Sequence, residues 1–165
     1  MKSSPRSHAR SYVAALAFML LLGGCAQAPA TESSTSASAA LEASQQRFVE
    51  AMSAQDLDAL MALFAADATV QVANMPAFEG REAIRGLYGN VFRFLESSEY
   101  APQRLEMAAS ADLAYSSGRV TTAFAGERGR MTFPGKYVLV WTRREGDWAV
   151  VLYAVSNDRA EAPGR

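Results

Sequence analysis

The hydrophobic period of this chain changes once, after Ser97-Ser98, and that change constrains the fold more than any single motif. Upstream, Leu41, Gln45, Phe48 and Met52 fall at helical spacing, with Ala51 alongside. Leu57, Leu60, Met61 and Phe64 repeat the pattern behind Asp56, which has the chemistry of a helix N-cap. After a short strand, Ala68–Val72, and a loop, Asn74–Phe78, a third helix is predicted from Gly80, with Ile84, Leu87, Tyr88, Val91 and Leu95 on one face. Downstream the period drops to two. Tyr100–Ala109, Leu113–Ala125, Gly135–Arg144 and Trp148–Asn157 read as strands, Pro102 lying near the start of the first. Gly126–Gly129 reads as a loop, and Arg144-Glu145-Gly146-Asp147 as a hairpin turn with Gly146 supplying positive φ. Helices first and a mostly antiparallel sheet afterwards make an α+β layer fold.

The N-terminal stretch has a different character. Lys2, Arg6 and Arg10 precede the uncharged run Ser11–Leu22, which is too short to span a bilayer, and Leu22-Gly23-Gly24-Cys25 closes it. This resembles a bacterial lipoprotein signal, cut before the cysteine, whose thiol is then acylated. The resemblance implies removal of residues 1–24 and a lipid anchor at Cys25. It also implies the bacterial cell envelope, and Ala26, where inner-membrane retention signals usually place Asp, favours the outer membrane facing the periplasm. Residues 25–40, rich in Ala, Ser and Thr, read as a flexible tether; 41–158 as one domain; and 159–165 as a disordered tail.

Removing residues 1–24 moves the formal charge from −1 to −4. A mildly acidic chain without a basic cluster has no electrostatic footprint for nucleic acid. The only histidine is His8 and the only cysteine is Cys25. The domain therefore has neither Ser-His-Asp chemistry nor a Cys or His zinc site, and no cofactor is implied.

Three stretches are similar to the SnoaL-like, or nuclear transport factor 2-like, superfamily. They are Asp56–Phe64 running into Asp67–Val70; Phe78–Ile84; and Gly135–Trp141 with Gly146-Asp147-Trp148 and the final Asn157-Asp158. The resemblance implies a cone-shaped, curved, mostly antiparallel sheet packed by three N-terminal helices, the cystatin-like arrangement, with a cavity inside the cone. Its implied lining is Phe48, Val72 and Tyr88; Tyr137, Leu139 and Trp141; Leu152, Ala154 and Ser156; and Tyr115, Ser117, Arg119 and Thr121, with Met75 and Phe78 at the mouth. Val120, Thr122, Phe124, Val138 and Val140 would then form an outer face suited to a homodimer, since relatives often pair through the sheet.

The resemblance by motif extends to ketosteroid isomerases, which use an aspartate base, a first-helix tyrosine and a protonated aspartic acid on a later strand. The corresponding positions here are Val72, Phe48 and Leu139, and only a supporting tyrosine is matched, by Tyr88. Apolar side chains neither accept a proton nor donate to an oxyanion. That chemistry is excluded, and no residue is assigned as catalytic. Other readings stay open. Arg119 is either a cavity cation wanting a carboxylate or phosphate, or a solvated outer arginine. Asp67 is either a general base or a turn residue. Tyr115, Tyr137, Trp141 and Tyr153 form either an aromatic box or core. The expectation is an anchored module binding a small, mainly apolar molecule, dimerising, or both. The alternative is an enzyme of the isomerase, cyclase or dehydratase type using carboxylate or tyrosine acid–base chemistry without metal, which needs Asp67, Glu79, Asp112 or Asp158 to reach the cavity.

Overall fold

One tight junction sets the angle between the first two helices. Gln55 takes a left-handed conformation, φ 57°. Its N–H donates to the Met52 carbonyl at 3.3 Å and the Asp56 N–H to the Ala51 carbonyl at 2.9 Å, the paired bonds of a Schellman C-cap. Asp56 then begins the next helix: its Oδ1 accepts from the Ala59 N–H at 3.0 Å, the capping role read from the sequence.

The computed structural model describes residues 30–126 and 129–158. The signal and Cys25, residues 26–29 of the tether, two residues of the Gly126–Gly129 loop and the tail 159–165 lie outside the described residues. The elements are α1 (Ala30–Ala54), α2 (Leu57–Leu63), β1 (Phe64–Val72), β2 (Phe78–Glu79), α3 (Gly80–Val91), β3 (Leu95–Met107), β4 (Leu113–Phe124), β5 (Met131–Arg144) and β6 (Asp147–Asn157). One sheet holds all six strands in the order β2-β1-β6-β5-β4-β3. β1 and β6 run parallel, and the other neighbours are antiparallel. This is the expected α+β fold, three helices with a curved, unclosed sheet.

Several boundaries differ from the sequence reading: Phe64, read on the second helix, opens β1, and the strand read from Gly135 starts at Met131. The helix expected from Leu41 begins at Ala30, so much of the segment read as tether is helical. Alanine has the highest intrinsic helix propensity, and Ala37 is fully buried, its carbonyl accepting from Trp148 Nε1 at 3.1 Å. Leu95, placed on the third helix by its spacing, instead opens β3, because α3 stops at Val91 and caps through the Phe92 N–H. Arg81 at the start of α3 clasps β1, with Nε and Nη2 both donating to the Phe64 carbonyl at 3.1 and 2.5 Å. The β5–β6 turn takes positive φ at both Glu145 (55°) and Gly146 (98°), the pair that a two-residue type I′ hairpin requires.

Candidate functional site

Side-chain direction along β4, β5 and β6 decides what the interior contains. On β5, Tyr137, Leu139 and Trp141 are buried against the helices. Their register partners on β4 are Gly118, Ser116 and Ala114, so the inward phase of β4 is the even-numbered one. Tyr115, Ser117, Arg119 and Thr121 therefore face away from the helices, and Val120, expected outside, is 2% exposed within the core. A strand slipped by one residue exchanges its two faces, and Leu113–Ala125 carries apolar groups in both phases. Arg119 is thus the exposed outer arginine of the two readings.

β6 is corrected by a bulge. Val140 pairs with Leu152 but Trp141 pairs with Val150, leaving Val151 extra. Trp148 and Val150 point inward, and beyond the bulge the phase changes to Tyr153 and Val155, opposite Leu139 and Tyr137. Leu152, Ala154 and Ser156 continue the phase of Trp148 in sequence but lie on the outer face.

The interior is filled. Phe48 stands at its centre with edge-to-face contacts to Phe64, Tyr100, Trp141 and Tyr153, ring centroids 5.4–6.3 Å apart. Tyr88 stacks on Phe64, and Tyr137 meets Tyr100 edge-on. Of the proposed lining, Phe48, Tyr88, Leu139 and Trp141 belong to this packed core. The three positions matching the isomerase catalytic set, Phe48, Val72 and Leu139, carry only apolar groups here.

Most of the polar side chains buried in the core bond one another; among the described residues Ser98 Oγ is buried without a hydrogen-bond partner. Ser116 Oγ donates to Gln45 Oε1 at 2.5 Å and accepts from Trp141 Nε1 at 3.0 Å. Gln45 Nε2 donates to the Tyr137 hydroxyl at 3.4 Å. The Tyr100 and Tyr153 hydroxyls share a 2.8 Å bond. Burial raises the pKa of Tyr88, Tyr100 and Tyr153 above the ordinary 10.0. Gln45 is visible in the sequence as an amide on an apolar helix face, but identifying its partner Ser116 requires the β4 phase.

The candidate acids lie elsewhere. Asp67, Glu79 and Asp112 are exposed. Asp67 makes two bonds to Arg144, at 2.9 and 3.0 Å, and that guanidinium holds its carboxyl below the usual range. Asp112 accepts a short bond from Ser110. Asp158 bonds Lys136 Nζ at 2.5 Å, which lowers its pKa, with Arg119 adding to the effect. Among the described residues no cluster of His, Cys, Asp or Glu could hold a metal, and no helix is long and apolar enough to cross a membrane.

A groove of about 770 Å³ lies on the sheet face turned away from the helices, and a smaller hollow of about 380 Å³ lies between α1 and α2. Gln71, Ser117, Lys136, Val138, Ala154 and Ser156 project into the groove from β1, β4, β5 and β6. The β1–β2 loop closes one side with Ala73, Met75 and Ala77, and Gln103, beside the β3 bulge, closes the other. Val72, Met75 and Tyr137 of the expected lining border this groove, whereas Tyr115, Arg119 and Leu152 share its face without lining it. Gln71, Gln103 and Lys136 carry no signal of their own in the sequence, because only the register brings them together.

The sequence profile of the SnoaL-like domain matches residues 46–151. No curated protein sequence matches the chain. Among solved structures, a ketosteroid isomerase-like protein from Erwinia carotovora atroseptica SCRI1043 is 18% identical, with a TM-score of 0.67, covering 74% of this chain and 96% of its own. A hexachlorocyclohexane dehydrochlorinase is 18% identical, with a TM-score of 0.65, covering 78% and 90%. A protein of unknown function from Mycobacterium tuberculosis is 19% identical, with a TM-score of 0.64, covering 82% and 79%. At these identities the likeness is one of fold.

Proposed function

The chain belongs to the SnoaL-like domain family, and we propose that it is a lipid-anchored envelope module that binds a small, mainly apolar molecule on the outer face of its sheet. The observation that carries this reading is the contrast between a filled interior and an open groove of about 770 Å³, a size suited to a small ligand. Val138 and Met75, 40% and 49% exposed, supply apolar surface there, and methionine adapts to varied shapes. The anchor rests on Leu22-Gly23-Gly24-Cys25 and the basic residues before it; outer-membrane placement rests on Ala26.

Acid–base catalysis in the interior has little support. The groups there are tyrosines held neutral by burial, and the candidate acids are exposed or ion-paired at the surface. A thermal-shift titration of the full chain with 1-octanol tests the binding reading. Saturable stabilisation that is abolished by Val138→Glu supports it; no stabilisation, or an undiminished response in Val138→Glu, counts against it. Replacing Cys25 by Ser releases the protein from the membrane fraction if the anchor reading is right.

A second copy of the chain is the other occupant with specific support. Val140, Leu152 and Ala154 flank Val138 on the outer face and are only partly covered, and such a surface favours burial. Sedimentation of the Cys25→Ser chain as a dimer that Val138→Glu dissociates supports pairing through this face; a monomer across the accessible concentrations argues against it.

A further inference from the structure

We propose that the groove takes an amphiphile with a single anionic head, held at Arg119 and Lys136, with its apolar body along Val138, Ala154 and Met75; this deepens, and rests on, the reading of the groove as the binding surface. Arg119 and Lys136 are direct register partners on β4 and β5, and both are exposed on the outer face. Two like charges opposite one another across a ladder repel. The carboxylate beside them is that of Asp158, bonded to Lys136 at 2.5 Å and close enough to Arg119 for that charge to lower its pKa. Among the described residues no carboxylate lies within ion-pairing distance of Arg119. Arg119, Lys136 and Asp158 together carry two cations and one anion, and the diagonal neighbours on β3, Glu99 and Arg104, add one charge of each sign, leaving an excess of one positive charge on a chain whose residues 25–165 have a formal charge of −4.

That excess sits at the rim of the groove. Lys136 lines it, as do Ser117, two residues from Arg119 along β4, and Ser156, the register partner of Lys136. The hydroxyls offer further donors to a bound oxyanion, while Val138, Ala154 and Met75 provide the apolar floor and wall. One anionic head supplies the ion pair that Arg119 lacks, Lys136 being already bonded to Asp158, and a carboxylate or phosphate also suits the forked guanidinium of Arg119. A free acid and a membrane lipid carry this same head chemistry.

The test compares octanoate, 1-octanol and vesicles of phosphatidylglycerol with the full chain carrying Cys25→Ser, alongside Lys136→Met and Arg119→Gln versions whose fold is checked by circular dichroism. Octanoate should bind about 10-fold more tightly than 1-octanol at low salt, as a charge-assisted contact predicts. High salt, Lys136→Met or Arg119→Gln should each narrow that gap by weakening the binding of octanoate. Vesicle binding lost in the same variants would support the anionic site with a lipid head as its occupant. Equal affinities for octanoate and 1-octanol, with no vesicle binding, overturn the anionic head but leave the groove reading intact. Failure of all three probes overturns both.

Discussion

Trp148 Nε1 donates to the carbonyl oxygen of Ala37 at 3.1 Å, tying the N-terminal end of α1 to the strand that follows the last hairpin. The bond joins an Ala/Ser/Thr stretch with the composition of a linker to the folded domain. Trp148→Phe keeps most of the packing and removes the donor, so a loss of about 1 kcal/mol is expected from urea unfolding. Deleting residues 30–40 should cost more, since it also exposes the surface covered by Ala37. If that deletion leaves stability unchanged, the segment is a tether after all.

Ser116 links two buried groups. Ser116→Ala leaves Gln45 Oε1 and Trp141 Nε1 without the partner each has now, and it should destabilise by about 1–3 kcal/mol. Replacing Gln45 by Leu in the same chain should recover part of that loss. Chemical denaturation of both variants provides the check.

Gly118 permits the close approach of β3 and β4. A Cβ there would overlap the Ala101 carbonyl oxygen and stand 3.0 Å from both Pro102 Cα and Tyr137 Cε1. Gly118→Ala should cost about 1–3 kcal/mol by overpacking. Gly86, where an added Cβ meets nothing within 4 Å, serves as the control: Gly86→Ala lies within α3 and should stabilise by about 0.5–1 kcal/mol.

The fold is largely legible in the sequence because its signals are local. The change of period, the Asp56 cap and the Glu145-Gly146 turn each act over a few residues; the cap and the turn match the elements observed, while the strands of the second half begin earlier than read, at Leu95. The site is not legible to the same degree, because it depends on strand phase. Nothing near Val151 in sequence announces a bulge, yet that one residue moves Leu152, Ala154 and Ser156 to the outer face. Likewise Arg119 and Lys136 become neighbours only once β4 and β5 are in register.

The buried tyrosines give stability a definite alkaline limit. Their hydroxyls are protonated in the fold, and burial raises their pKa above the unfolded value of 10.0. The unfolded state therefore loses protons first as pH rises, and the stabilisation, complete below about pH 10, declines above it. Denaturant midpoints should fall above about pH 10, and tyrosinate absorbance from Tyr88, Tyr100 and Tyr153 should appear together with unfolding. Tyr153→Phe should flatten that decline. Tyrosinate formation by these residues in a chain that remains folded would contradict the account.

The most direct test of the groove reading is methyl-resolved NMR of the full chain during titration with 1-octanol. The account predicts saturable shifts at Val138, Ala154 and Met75, with Leu139, Val150 and Met61 in the packed interior unmoved. Shifts centred on Leu139, Val150 and Met61 would place the ligand inside the cone and contradict it.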